Sequence, residues 1–373
     1  MAKGIRGSEA RYGWAFTAPA ILIIGVFLVL PILLALYVSF GDWNGLGSPL
    51  QRNELVGADN YAAILVESGL AQRDFGLSLR NNFFYVLLVV PLQTALALFL
   101  AVQVNRRVLR GRGFFRTAFY FPSVTSSIAI TTIFLWLFLG SGAVNATLAV
   151  LGVDGPNWMA DSTGLIHGAL AGLGVAGPPE ALAGAGPLGL TWWDWLSGPS
   201  VAMTVLIIMA VFTTSGTFML LFLAALQNIS GEIDEAASID GAGSVRKFFS
   251  VTLPMLKPTL FTVLTLGLIG TWQVFDQVYL IQDGDPGKTT LTPAYLAFLT
   301  SFRELNWGEG AAISFILFGI IVAFTLLQRF VLRDRDRGRG GVRRAEKAVA
   351  RLQADAEAAK AGAAPVAREG GRP

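Results

Sequence analysis

Apolar residues in this chain come in long unbroken runs, not in the alternating or every-third-and-fourth pattern of an element facing water on one side. Six runs, 14–40, 82–104, 117–139, 201–226, 259–282 and 311–330, each reach the ~20 residues a helix needs to cross a bilayer core. Five carry no charge before their flanking basic groups, and the run 259–282 carries only Asp276. A helix satisfies its own backbone N–H and C=O groups in lipid, so the pattern predicts an all-α, polytopic membrane bundle of six spans over residues 14–332. The first run is too long for a cleaved leader and lacks a small-residue cleavage site, so it reads as a retained anchor.

The polar stretches punctuate this bundle. Residues 41–80 hold Asp42-Trp43-Asn44-Gly45 and Gly57-Ala58-Asp59-Asn60-Tyr61, turn-rich sequence between short helical pieces. The connection 140–200 contains Gly155-Pro156-Asn157-Trp158, then a Gly/Ala/Pro-rich part, 164–190, which Pro178, Pro179 and Pro187 break too often for a crossing. Trp192, Trp193 and Trp195 suit an aromatic anchor at the membrane interface, with a sugar-stacking platform as the sharper alternative. After residue 332 a charged, Ala-rich tail (333–373) begins. Its segment 342–361 has helix-forming composition but few large apolar residues to bury.

Composition agrees: 53% of residues are hydrophobic and 14% charged, too apolar for a soluble domain of this length. The distribution of Lys and Arg says more than the net charge of +3. Lys3, Arg6 and Arg11 precede the first run; Arg106, Arg107, Arg110, Arg112 and Arg116 crowd the second connection. Arg246, Lys247 and Lys257 lie in the fourth, and Arg329, Arg333 and Arg335 end the last run, whereas 140–200 has neither Lys nor Arg. The positive-inside rule then predicts both termini (the N-terminal one being 1–13) and the loop 227–258 in the cytoplasm.

Candidate chemistry is sparse. There is no cysteine, which excludes disulfides, thiolate catalysis and Cys-based metal sites, and the single His167 lacks clustered partners for a metal. Gly284-Asp285-Pro286-Gly287-Lys288-Thr289 imitates a phosphate-binding loop, but the first Gly position is Gln282 and a membrane span precedes it in place of a strand. The chain has no nucleophile elbow or zinc pattern, and no spaced carboxylate cluster within its spans. These residues leave the chain without a readable active site or bound cofactor of its own.

The stretch 235–258, Glu-Ala-Ala followed by Ser-Ile-Asp-Gly-Ala-Gly and a second short helical piece, stands apart as a polar island between apolar runs. It closely resembles the loop of binding-protein-dependent ABC importer permeases whose pattern is Glu-Ala-Ala-x3-Gly-x9-Ile-x-Leu-Pro. Glu235, Ala236, Ala237, Gly241, Leu253 and Pro254 match at that spacing, and Val251 replaces Ile. Gly241 permits a sharp turn between two helices, and Pro254 and Pro258 are expected to stop the second helix and start the next span. The resemblance covers most of the chain and is nearest to the first-subunit permeases of the maltose and glycerol-phosphate branch. Pro31-Ile32, Ser39-Phe40, Asp42–Gly45, Asp59-Asn60-Tyr61, Arg112–Arg116, Pro122, Gly155–Trp158 and Phe275–Tyr279 carry it, and the extra sequence around 164–190 departs from it.

The resemblance implies the type I importer permease fold, a second homologous permease, a dimeric ATPase holding ATP and Mg, and an extracytoplasmic solute-binding protein. It also implies that Glu235, Ala236, Ala237, Asp240 and Gly241, with Leu253 and Pro254, dock on the ATPase and pass its movement to the membrane. For the solute, a sugar or glycerol-phosphate-like molecule, polar groups within the spans are the candidates. Trp272, Asp276 and Tyr279 fall at i, i+4, i+7, with Gln273 and Gln277 alongside; Thr213, Thr214, Ser215 and Thr217 mark the fourth span, and Ser123, Thr125, Ser126 and Ser127 the third. Helix–helix packing is the competing use of the Ser and Thr groups. Two rival functions stay open: an ion-coupled transporter using Asp276, and a scaffold that recruits a soluble partner.

Overall fold

The computed structural model describes residues 7–106, 109–281 and 286–332. Lys3, Arg6, Arg107, Gly284, Asp285 and the tail 333–373, with its expected helix 342–361, lie outside the described residues. By contact the chain divides into Met1–Thr325, which holds everything argued below, and Leu326–Pro373, described only at the end of the last helix.

The first span joins α1 (Gly7–Ile24) to α2 (Leu30–Val38) through one π-turn, Gly25–Val29. Pro31 accounts for that turn, because it lacks an N–H and its ring would strike the carbonyl one turn back. A small hairpin follows, β1 (Gly41–Asp42) pairing antiparallel with β2 (Glu54–Leu55) around α3 (Pro49–Arg52). It is tied down by α4 (Asp59–Leu65): Asn60 Nδ2 donates to the carbonyls of Ser39 (3.1 Å) and Gly41 (2.9 Å), and the Tyr61 hydroxyl lies 2.8 Å from Ser39 Oγ.

The 36-residue helix α5 (Leu70–Asn105) is the central column, ~54 Å long at 1.5 Å per residue. Two short helices, α6 (Arg112–Val124) and α7 (Ser127–Leu137), meet at a 97° elbow. The connection beyond contains only α8 (Ala143–Val150), α9 (Leu165–Gly172) and α10 (Trp192–Trp195) as α-helix. Next come α11 (Val201–Gln227), the short α12 (Gly231–Ile239), α13 (Ser244–Lys247) and α14 (Leu253–Met255), then α15 (Lys257–Trp272) and α16 (Asp276–Leu280). The last elements are α17 (Pro293–Phe298) and α18 (Trp307–Leu332).

Among the described residues, five spans are long and apolar enough to cross a membrane, or six if α6 and α7 count as one broken span. The expected helical bundle is therefore present, with two corrections. The run 117–139 is an elbow, not a straight helix, and the run 259–282 is interrupted at Gln273–Phe275. A third difference is that α5 begins at Leu70, so part of the polar segment 41–80 is the helical lead-in to the second span.

Packing fixes the directions. Phe75, Tyr85 and Val89 of α5 pack with Met203, Leu206 and Met209 of α11, while Ala97, Ala101 and Val104 pack with Met219, Phe222 and Leu226. The two helices thus run parallel. Leu256 and Val263 lie beside Val104 and Ala101, and Trp272 beside Val86 and Val90, so α15 runs antiparallel to both. The connection after α5 and the loop 227–258 consequently emerge at one end, and 140–200 at the other. By contrast, Val38 alone is buried in the apolar stretch Arg11–Val38.

The family-like motifs at the far end serve as clasps. Trp307 N–H donates to the Trp43 carbonyl (3.0 Å), the two indoles lie 5.5 Å apart, and Gly45, at φ +84°, faces Trp307 where a side chain would collide. Asn145 Nδ2 donates to the Gly140 and Pro156 carbonyls (both 3.1 Å), and Trp158 Nε1 donates to Asn145 Oδ1 (2.7 Å), which closes the Gly155–Trp158 turn. His167 stacks on Trp193 at 4.2 Å, and Trp195 Nε1 donates to the Pro187 carbonyl. Two of the three tryptophans expected at the interface are thus engaged within this segment.

Candidate functional site

Two regions bring together polar groups that the sequence singled out. The first is the loop 227–258. Its helix α12 ends in a Schellman turn: Ala242 N–H donates to the Ala237 carbonyl (3.0 Å) and Gly241 N–H to the Ser238 carbonyl (3.1 Å). Gly241 sits at φ +73°, a conformation most L-residues avoid, which explains glycine at this place. The chain then continues as α13, a π-turn (Phe248–Thr252) and α14. Pro254 does not stop this helix, contrary to expectation; the widened turn ahead of it absorbs the missing N–H and the ring. Pro258 does stand in the first turn of α15, as expected of a span-starting proline.

Glu235, Ala236, Asp240 and Gly241 are exposed, Ala237 and Leu253 half-buried, and Pro254 exposed. Three apolar side chains escaped the sequence reading: Ile239 (85% exposed), Val245 (72%) and Phe249 (61%). Leu256, fully buried against the cluster around Ala101 and Leu226, ties the loop to the bundle. A polar loop that exposes large apolar side chains on short helices has the form of a docking surface.

The second region is a pair of adjoining hollows inside the membrane-spanning part. One, about 290 Å³, lies between α6, α7 and α11 and is lined by Ser123, Thr125, Ser127, Thr213, Thr217 and Gln277 among others. The other, about 280 Å³, lies between α5, α11 and α15–α16, with Gln93, Thr214, Gln273, Asp276 and Gln277 in its wall. Thr213, Thr214, Phe218 and Gln277 belong to both.

The elbow and the interruption create these hollows. At the elbow, Ser123 Oγ donates to the Thr213 carbonyl (2.7 Å) and accepts from Thr217 N–H (3.1 Å), while Gly216 has no side chain to hold α6 away from α11. At the interruption, the freed carbonyls find new donors: Asn82 Nδ2 reaches Trp272 O (3.1 Å) and Thr292 Oγ1 reaches Val274 O (3.0 Å).

This geometry separates the candidate set. Gln273, Asp276, Gln277, Thr214 and Thr217 line hollows, and Gln277 Nε2 lies 3.4 Å from Ser127 Oγ. Trp272, 1% exposed, packs on Phe324 (5.3 Å), and Ser215 is buried with its hydroxyl given to the Phe212 carbonyl. Tyr279 joins an aromatic group with Phe275, Tyr295 and Phe298. The interruption removes the common helical face that i, i+4, i+7 spacing implies for Trp272, Asp276 and Tyr279. Gln93 and Thr213 line the wall as well; the signal for Gln93 was a lone amide amid apolar residues of the second span. The end of the false phosphate loop is a clasp on α5: Asn81 Nδ2 donates to the Lys288 (2.8 Å) and Leu291 (3.0 Å) carbonyls, and Lys288 Nζ meets Asp74 at 2.7 Å.

A broken-span helical bundle with polar hollows at the breaks and an exposed two-helix loop at one end has the form of a membrane transport protein. The chain belongs to the family described as binding-protein-dependent transport system inner membrane component, whose model matches residues 93–337. It is 33% identical over 343 residues to the lactose transport system permease protein LacF of Rhizobium radiobacter, covering 90% of this chain and 100% of the relative. It is also 30% identical to the trehalose/maltose transport system permease protein MalF of Thermococcus litoralis, covering 88% and 95%. A solved bacterial ABC transporter importing alginate shares the fold, with TM-score 0.66 and 17% identity over 88% of this chain and 98% of that one. The protein is thus a multi-pass membrane component of a transport system, not an enzyme.

Proposed function

We propose that this chain is one permease subunit of an ATP-driven importer that receives a sugar or sugar-like solute from a binding protein and passes it across the cytoplasmic membrane by alternating access. The observation that carries this reading is the loop 227–258, two short helices joined by the Gly241 turn and presenting exposed Glu235, Ile239, Val245 and Phe249. Such a surface fits a groove on a separate ATPase, which would hold ATP and Mg. The Lys and Arg distribution supports placing this end, with both termini, in the cytoplasm. The bare first span supports a second permease as neighbour. Relatives named for lactose and trehalose/maltose, and an alginate transporter solved with a pentasaccharide-bound periplasmic protein, support the sugar and the binding protein.

In this reading Gln273, Asp276, Gln277, Thr214 and Thr217 offer hydroxyl and amide partners to the solute, while the elbow and the interrupted span give the helices two packings to choose between. The test is affinity isolation of the tagged permease with its ATPase, together with uptake in cells. Glu235→Lys should abolish ATPase recovery and uptake with the membrane amount unchanged. Normal recovery and uptake would sink the reading, as would uptake that an ionophore abolishes and ATPase deletion leaves intact.

A further inference from the structure

Gln93 is 1% exposed and reaches three helices. It stands on α5; its Oε1 lies 2.5 Å from the Thr214 hydroxyl of α11; its Nε2 rests over Gly267 of α15, where a side chain would collide with it. Nε2 has no hydrogen-bond partner among the described residues. The Thr214 hydroxyl also lies 2.6 Å from the Ala210 carbonyl, and it has one proton to give. Turning the amide lets Gln93 donate to Thr214 while Thr214 donates to Ala210, and the two ends of an amide are told apart by such networks. In both orientations Gln93 binds Thr214, and half of the amide is left facing Gly267.

On the side away from the hollow the neighbours of Gln93 are apolar. Ala97, Phe218 and Val263 share one cluster nearby, and helices held by van der Waals fit alone can shift in register. Gly267 and Gly270 make that part of α15 smooth, with nothing within 4 Å of Gly270 where a side chain would begin. Asn82 Nδ2 ties α5 to the end of α15 at the Trp272 carbonyl, and Gln93–Thr214 is the side-chain link to α11; a buried polar link of this kind can fix register more than it adds stability. The same side chain forms part of the wall that holds Thr214, Gln273, Asp276 and Gln277.

We infer that Gln93 is a positioning residue for transport. Its amide links α5 to α11 and seats both on α15, so that the polar groups around the second hollow move as one unit when access changes. This rests on the ATP-driven reading given above. The chain has no cysteine, so a single introduced one reports cleanly. Gln273→Cys in the complete transporter is labelled with a small methanethiosulfonate reagent, nucleotide-free and after trapping with ATP and vanadate. The labelling rate should differ severalfold between the two states in the otherwise unchanged chain. With Gln93→Leu added, the two rates should become equal. Thr214→Val should do the same, the double variant should be no worse than either, and Thr214→Ser, which keeps the hydroxyl, should restore the difference. A retained difference in Gln93→Leu, or Thr214→Ser behaving like Thr214→Val, overturns the inference. If Gln93→Leu fails to assemble, the Thr214 pair decides. No nucleotide effect in Gln273→Cys alone would instead overturn the ATP-driven reading beneath it.

Discussion

At the scale of single residues, glycines decide where backbones meet and turn. Gly216 lets α6 approach α11 closely enough for Ser123 to bond both Thr213 and Thr217, whereas Gly270 borders open space. Gly216→Val is expected to force the helices apart and destabilise the protein by about 1–3 kcal/mol, the usual effect of overpacking. Gly270→Ala should be neutral, and thermal melts of the solubilised protein compare the two. Gly241 is a different case, since its left-handed φ of +73° is needed by the turn itself. Gly241→Val should cost about 1–2 kcal/mol locally and lower ATPase recovery without lowering the membrane amount; recovery equal to the parent would deny the turn its role. Gly241 was readable from its place in a motif. Gly216 was not, because nothing in the fourth span announces which helix will lie against it.

At the scale of elements, the breaks in the third and fifth spans are held by neighbouring helices and segments. The interruption of the fifth span is stabilised by Asn82 and Thr292, which are remote from it in sequence. Asn82→Leu and Thr292→Val each leave a buried carbonyl without its donor, and each should destabilise by about 1–3 kcal/mol, again read by thermal melting. No change in either would mean that water or a lipid group replaces the donor. For the loop 227–258, the exposed apolar side chains carry the expectation. Ile239→Ser and Phe249→Ser together should reduce ATPase co-isolation while the permease still inserts and folds. Their roles escaped the sequence because an isolated Ile or Phe in a short amphipathic helix looks like a core residue until the helix is seen to have no core beneath it.

At the scale of the whole molecule, parallel α5 and α11 with antiparallel α15 sort the connections to two ends. Ser244→Cys and Arg112→Cys should therefore label together from one side of the membrane, and Asn44→Cys and Gly177→Cys from the other. With the proposed orientation, an impermeant maleimide added to intact spheroplasts should reach only the second pair. Labelling of Ser244→Cys from outside would reverse the proposed sidedness, and a split within either pair would contradict the packing directions.

The sequence by itself determined that this is a helical membrane protein, and it singled out the loop 227–258 as the docking candidate. These are local matters: in lipid each backbone segment must satisfy its own polar groups, and a turn such as that at Gly241 is built from neighbours in sequence. Only the tertiary structure decided that the third span bends, that the fifth is interrupted, and that Gln93, Thr214, Gln273, Asp276 and Gln277 surround one space while Trp272 turns away from it. Each of these depends on a donor, a glycine surface or a ring supplied by a distant helix, and such pairings have no signature in the order of residues along one chain.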